Sequence, residues 1–595
     1  AAFFKDVTTN GNHWTPVNLD YRDSVPDTPT NNFAVGNPLK SYNGGGGSAM
    51  VYSEGNLKLS RPSGATGWAS SYGSISVSSG KWFWEAMCFQ SGSADNVIGI
   101  HEANTSMFQI LGYSNDPTGY GYNKAGNKLN NSTGASYGAT YANGDVIGVA
   151  LDMDAGTVAF YKNGSSQGTA FTGLSGDFIA AFSSDNGNGA GFWIANFGQD
   201  SSFAGNKSTA NSNADGNGHG SFAYAPPSGF LSLCSQNLPD VDIIDGTEHF
   251  NTVLYTGDGA TKAGGGQAIS AVGFQPSWTW IKNRGAAQSH FLNDAVRGAG
   301  KNLFTNSTAT ENVSGNAGDG FSAFGSDGFT VNSTYGSSDT NTGTNANSNT
   351  YVAWNWLAGT AFSNDASATG VGNVDSSGQV NTEAGFSIVS WQFTNSADNL
   401  VAHGLSSAPE MMIIKSRTTA YNWDIYHTGL SNPATKRLIF TTGAEIAGFF
   451  DTNPTSTVFE YNTSALANND NAIAYCFHSV EGYSKVGSYT GNGSTSNPPF
   501  VFTGFRPAWV LIKCSSAGST NWLLLDSKRE GYNSAQDVLF PESTAAEETN
   551  AAKTVDFLSN GFKVAATTNG STNASGGTYI FLAFAESPFK FANAR

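Results

Sequence analysis

Apolar residues along this chain come in short runs that stop at Gly, Asn, Ser or Pro, and three of those runs share a form. GFQPSWTWIK closes at Lys282, LSSAPEMMIIK at Lys415 and GFRPAWVLIK at Lys513. Each has a turn, a proline, a small or acidic residue and an apolar stretch ending in Ile-Lys. Proline offers no N–H to a ladder, so it marks the mouth of a strand rather than its middle. The stretch behind it does not alternate, which predicts a strand covered on both faces.

A second landmark follows each copy. VAWNW (352–356), IAYCF (473–477) and LAFAE (582–586) align on a central alanine, at spans of 71, 59 and 70 residues from Lys282 to Ala353, Lys415 to Ala474 and Lys513 to Ala583. SDGFTV (326–331) and SNGFKV (559–564) lie between the landmarks of the outer copies, with no recognisable counterpart in the middle one. The period is too long for a solenoid, so the pattern predicts three tandem β domains at 249–366, 367–485 and 486–595. A short helix is expected near 544–550. Upstream, 1–27 reads as an irregular lead-in and 28–200 as strands. KWFWEAMCF (81–89) and NVIGIH (96–101) lead to the hairpin signature NGDVIGVALDMDAGTVAFYKNG (143–164), and FWIANFG (192–198) closes the unit. The stretch 201–248, rich in Gly, Asn and Pro, is expected to be an extended connector.

Composition supports an all-β class: 72 glycines among 595 residues suit many tight turns, and 13% aromatics leave enough apolar surface to bury. The net charge of −17 argues against nucleic acid, whose phosphates need a basic footprint. No apolar run is long enough to cross a bilayer as a helix, and no signal peptide is visible. The first residue is Ala1 rather than methionine, which fits the expectation of an upstream piece processed, trimmed or numbered out. Four cysteines, Cys88, Cys234, Cys476 and Cys514, show no CxxC spacing and read as buried thiols.

The hairpin GDVIGVALDMDAGTVAFYKNG, with KWFWE upstream and ANFG downstream, resembles the SPRY domain, a concanavalin-like β-sandwich, over about residues 40–200. That resemblance implies a binding module. FHSVEGYSKVGSYTGNG (477–493) and the ending YIFLAFAESPFKFANAR are similar to structural proteins of marine tailed bacteriophages, a likeness that spans 40–595. It implies a place on the virion surface, as a tail fibre, head fibre or capsid decoration. Other virion proteins, a homo-oligomer (a trimer by analogy) and a host-surface glycan are then the expected partners.

Little in the sequence points to catalysis, and neither an enzyme nor a cofactor is expected. Asp152 and Asp154 mimic the start of a calcium loop, but a strand follows where further oxygen ligands belong. Asp240, Asp242, Asp245 and Glu248 are a denser oxygen cluster and a weak candidate for Ca²⁺. The eight histidines show neither HExxH nor HxH spacing. A glycosidase needs two facing carboxylates, and KWFWEAMCF supplies only Glu85. Glycan binding needs flat aromatic faces beside amides or carboxylates. The loop GYSNDPTGYGYN (112–123) offers Tyr113, Tyr120 and Tyr122 with Asn115, Asp116 and Asn123, and Trp68 is a further candidate. Trp278, Trp280, Trp354, Trp356 and Trp509 recur with the repeated strands and are expected in the core. A bacterial adhesin or a glycan-degrading enzyme on the same folds are the alternative functions.

Overall fold

The computed structural model describes residues 27–591 apart from 29, 44–49, 62–64, 66, 93, 114, 186–190, 209–210, 312–318, 335–342, 395–397 and 464–465, together with residues 15 and 17. The lead-in 1–27 therefore lies almost wholly outside the described residues. The chain divides into two compact units, Ala1–Asp240 and Val241–Arg595. Both are built from strands. The one α-helix among the described residues is the single turn Ala366–Thr369, capped by Asp365.

The first unit is a sandwich of two antiparallel sheets. One runs Gly36–Asn43, Trp68–Val77, Phe178–Asp185, Asn96–Glu102, Gly119–Asn123, Asn127–Asn130, Thr133–Ser136 from edge to edge. The other runs Ser165–Thr172, Thr157–Lys162, Val146–Asp152, Lys81–Gln90, Gly191–Asn196, Lys58–Ser60, Val51–Ser53, with Leu231–Ser232 added in parallel to Lys81–Gln90. Rings from the two sheets meet between them: Phe182 with Trp193 at 6.4 Å and Tyr122 with Phe160 at 5.2 Å between centroids. Asp152 and Asp154 serve the hairpin turn. Asp152 accepts from Ala155 N–H at 2.9 Å and pairs with Lys81 at 2.9 Å, while Asp154 accepts from Gly80 N–H at 2.7 Å.

Residues 201–240 are not an extended connector; they fold back into the sandwich. Of their apolar side chains, Phe203, Phe222, Ala223, Leu233 and Cys234 are buried, and Tyr224, Phe230, Leu231 and Leu238 are half-buried. Buried carboxylates hold the polar remainder: Asp215 accepts from Ser232 N–H (2.8 Å) and Oγ (2.6 Å) and from Asn237 Nδ2 (2.7 Å). A Gly- and Asn-rich stretch can thus be ordered by main-chain hydrogen bonds to a few acids, which bulk hydrophobicity does not register.

The second unit contains three sheets of one strand order. The first runs Phe250–Thr256, Thr350–Trp356, Trp278–Asn283, Phe291–Asp294, Leu303–Phe304. The middle one has the same succession in Phe386–Gln392, Asn471–Phe477, Met411–Ser416, Asp424–His427, Lys436–Ile439, and the last in Ser484–Thr490, Thr578–Pro588, Phe505–Cys514, Trp522–Asp526. A smaller sheet covers each outer face. It has three strands in the first and last segments, centred on Gly328–Val331 and Gly561–Val564, but only Leu400–Ala402 and Val458–Glu460 in the middle. A Cβ on Gly328 or Gly561 would lie 2.0 Å from the carbonyl oxygen of Ile269 or Val501, so only glycine fits the first residue of those strands. The hairpin Thr360–Asn364/Ser376–Asn381 joins the middle sheet, which moves the first boundary from 366 to before Thr360.

The repeated strands are buried on both faces. Trp278, Trp280, Met411, Ile413, Trp509 and Leu511 point into a core shared by all three sheets. Ile281, then Met412 and Ile414, then Val510 and Ile512, face the three outer cores. Pro276 and Pro409 stand before their strands, whereas Pro507 lies inside Phe505–Cys514, at a break in register. The three segments thus share one central core instead of standing apart. No helix forms at 544–550: Glu547 donates its N–H to Arg284 O at 2.8 Å, and Glu548–Thr549 pairs with Asp537–Val538. That tertiary contact overrides a weak local preference.

Candidate functional site

Of the expected loop 112–123, residues Gly119–Asn123 form a strand that carries Tyr120, Tyr122 and Asn123, and the remaining loop follows Gln109, whose carbonyl accepts from Ser70 Oγ of the strand carrying Trp68 at 3.0 Å. Inside the loop the acid is structural. Asp116 is buried and accepts from Gly112 N–H (3.0 Å) and from Thr118 N–H (3.0 Å) and Oγ1 (2.9 Å), with His101 Nε2 at 3.5 Å. Burial pushes its carboxyl up, but the hydrogen bonds from His101, Gly112 and Thr118 outweigh that and hold it below the usual carboxylate range.

The aromatic residues divide in the same way. Tyr122 is fully buried among Tyr137, Tyr141 and Phe160, and its hydroxyl donates to Ala139 O. Tyr120 is half-buried, edge-on to Phe171 at 5.1 Å and Phe178 at 5.9 Å. Asn123 accepts Asn127 N–H at 2.9 Å, and Trp68 is half-buried in its strand. Two of the seven candidates face solvent: Tyr113, 46% exposed, and Asn115, at φ 63° with its N–H on Ser132 Oγ at 2.6 Å. Among its described residues the stretch therefore presents one aromatic and one amide side chain to solvent, not a broad platform.

Glu85 lies mid-strand on the face of Lys81–Gln90 that residues 222–224 cover, between Phe83, which packs on Phe222, and Met87, which packs with Ala223. It is fully buried and accepts from Asn196 Nδ2 (2.9 Å), Ala223 N–H (2.6 Å) and Tyr224 N–H (3.3 Å). Burial pushes it up to about 7, against those hydrogen bonds. Its position explains its role as a clamp on the segment that follows the sandwich.

Of the four acids proposed for Ca²⁺, Asp240 ends the first unit, and among the described residues Asp242, Asp245 and Glu248 of the second form no group close enough to share a cation; Asp245 caps a 3₁₀ turn through Thr247 N–H (2.9 Å) and Oγ1 (2.6 Å). Among the described residues the carboxylates that come together are Asp398, Asp451 and Glu460, with oxygens within 4.8 Å of one another. The amide Nδ2 of Asn462 donates to Glu460 Oε1 at 2.7 Å. A polar groove of about 300 Å³ lies at the ends of the middle sheet's strands, lined by Ser363, Asp365, Asp375, Ser390, Gln392 and Asn471. Its two acids are engaged by main-chain N–H groups, Asp365 by Ser367 and Ala368, and Asp375 by Ala366. The residues that sequence reasoning passed over are the strand lysines. Lys282, Lys415 and Lys513 are fully buried, and burial pushes each down to about 8. Their signal was present in the repeat, since a lysine closing three core strands is too regular for an exposed residue.

Residues 81–197 match the SPRY domain family, and residues 245–588 match the family described as Domain of unknown function (DUF7483). The second match covers more than half of the chain, and the chain belongs to that family. Ran-binding protein 9 and Ran-binding protein 10 of Danio rerio are each 30% identical over 101 residues, 17% of this chain and 17% of their own length. The chain thus spans about a sixth of the curated relatives it matches. The SPRY domain of human HERC1 is 20% identical, covering 27% of this chain and 96% of that one, at a TM-score of 0.23. The TRIM65 PSpry domain is 12% identical, covering 26% and 91%, at 0.21.

Proposed function

We propose that this member of the DUF7483 family is a non-enzymatic component of a tailed-phage virion surface, a fibre or decoration that contributes to host attachment. In this reading the SPRY domain recognises and the three-sheet unit, a triplication within one chain, anchors to other virion proteins. The observation that carries it is that Tyr113 and Asn115, two positions apart, are both exposed on a loop whose own acid is buried and hydrogen-bonded. A ring face and an amide suit the C–H surface and hydroxyls of a sugar, and a braced loop loses little entropy on binding. Assembly as a homo-oligomer, a trimer by analogy with fibres, belongs to the same reading.

Two experiments test it. Electron microscopy of particles labelled on this chain should place it on the exterior; a location wholly inside the capsid contradicts the reading. Host-derived polysaccharide should bind the full chain and not the Tyr113→Ala/Asn115→Ala double variant. Equal binding by both would remove the loop from the proposal, and release of new reducing ends would make the protein an enzyme.

A further inference from the structure

Neighbouring sheets of the second unit meet along three seams built to one plan. A glutamate N–H crosses each seam to the carbonyl two residues past a strand lysine: Glu311 to Arg417 (2.9 Å), Glu547 to Arg284 (2.8 Å) and Glu445 to Ser515 (2.8 Å). An indole N–H also reaches a main-chain carbonyl across two of them, Trp423 to Phe304 O at 2.8 Å and Trp522 to Ile439 O at 3.1 Å. The middle sheet thus leans on the first, the last on the middle, and the first on the last, so the three close into a ring.

Among the described residues, ion pairs cross two of these seams. Between the first and middle segments, Arg297 holds Asp294 (2.5 Å) and faces Glu311 (3.4 Å), which Arg417 reaches at 2.8 Å; Tyr475 donates to Asp294 at 2.7 Å. Between the last and first segments, Arg529 holds Asp526 (2.6 Å) and Glu547 (2.8 Å). Arg284 grips Glu547 with Nε and Nη2 at 2.6–3.0 Å, and Trp354 donates to Asp526 at 3.1 Å. The lysines follow suit: Lys415 Nζ donates across to Thr308 O at 3.1 Å and Lys282 Nζ to Thr544 O at 3.2 Å.

The seam between the middle and last segments lacks this set. His427, Leu430 and Ser515 stand where the other seams have aspartate and two arginines, and Lys513 bonds Thr520 within its own segment. Leu430 joins the shared core and His427 Nε2 lies 3.2 Å from Phe581 O, so the inner part of the seam keeps good contacts. The outer part does not. Ser515 brings neither charge nor apolar surface, the Glu445 carboxylate turns to Ser431, and Ile446 is 39% exposed.

We infer that the ring opens at the outer end of the seam between its middle and last segments, where Glu445 meets Ser515, while the other two seams stay latched. Hydrogen bonds between ionised partners are about twice as strong as neutral ones, and local opening starts where such bonds are fewest. Amide hydrogen exchange on the full chain provides three matched reporters in Glu311, Glu445 and Glu547. After correction for intrinsic rates, Glu445 and Thr520, whose N–H reaches Thr442 O at 3.1 Å, should exchange at least tenfold faster than Glu311 and Glu547. Ser515→Arg supplies the missing guanidinium and should slow Glu445 alone. Arg417→Ser should bring Glu311 up to the rate of Glu445. Equal protection at the three glutamates, or a Glu445 rate unmoved by Ser515→Arg in a folded protein, overturns the inference; if that variant fails to fold, Arg417→Ser decides it.

Discussion

The sandwich and the three-sheet ring both bury ionisable side chains, and they use them differently. In the sandwich one carboxylate, Glu85, clamps a stretch of its own unit through two main-chain N–H groups. In the ring, cations and carboxylates alternate across the joints between sheets, as in the chain Asp526–Arg529–Glu547–Arg284. A sandwich with one core needs only to order its loops. A ring of three sheets must also fix how the sheets meet, and apolar contact alone is not directional. Paired charges supply that direction, at a desolvation cost that their mutual hydrogen bonds offset.

The largest effect should come from the shared core. Trp356 lies 4.4 Å from Trp278, 4.9 Å from Phe250, 5.7 Å from Trp509 and 5.8 Å from Phe584 between ring centroids. Trp356→Ala should lower the stability of the ring by about 3–5 kcal/mol. In denaturant titrations the ring's transition should move and the sandwich's should not; a shift of both would remove the distinction between the units. Next comes the charged joint. Glu547→Gln leaves Arg284 and Arg529 poorly matched and should cost about 3 kcal/mol. Glu445→Gln, at the seam without arginine, should change stability by less than about 0.5 kcal/mol, so equal losses would contradict the difference between seams.

The pH responses should also differ. Burial pushes His403 and His427 in the ring down to about 4 and His290 well below its ordinary value, so the unfolded chain takes up protons near pH 6.5 that the folded ring refuses. The ring should therefore weaken as pH falls from 6.5 towards 4, with Asp424, pushed up to about 6 by burial, opposing in part. Glu85 has the opposite sign: the folded sandwich binds its proton near pH 7 and the unfolded chain near 4.5, so acidification over that window relieves the sandwich. The strand lysines act at the alkaline end. The unfolded chain keeps their protons up to about pH 10.5 while the fold releases them near 8, so the ring should gain stability from pH 8 to about 9.5. Above that, buried tyrosines such as Tyr475 and Tyr489, raised well above 10, reverse the trend. Unfolding midpoints measured from pH 5 to 10 check all three signs. The smallest effect is at the loop: Tyr113→Ala should alter stability by less than about 0.5 kcal/mol, read as an unchanged midpoint of the sandwich.

Sequence patterning carried the architecture a long way. Pro276 and Pro409 before non-alternating apolar runs marked strands covered on both faces, and Gly328 and Gly561 marked matching turns in the outer copies. What it could not carry was the third dimension of the polar residues. Arg284 and Glu547 are 263 positions apart and nothing in either neighbourhood announces the other. Asp116 and Tyr122 read as ligand-facing because Gly and Pro surround them, yet Asp116 is buried inside its loop and Tyr122 lies in the buried part of the strand Gly119–Asn123. Asp215 and Glu85 turned an apparent linker into part of a domain by accepting main-chain N–H groups, a role that leaves no trace in hydropathy.

The claim on which the rest depends is that three sheets from successive segments form one cooperative body, separate from the sandwich. Hydrogen exchange along a denaturant series, followed at the central strands Thr350–Trp356, Asn471–Phe477 and Thr578–Pro588, tests it most directly. The three strands should lose protection at a single common midpoint, distinct from that of Lys81–Gln90. Three separate midpoints, one for each segment, would contradict it.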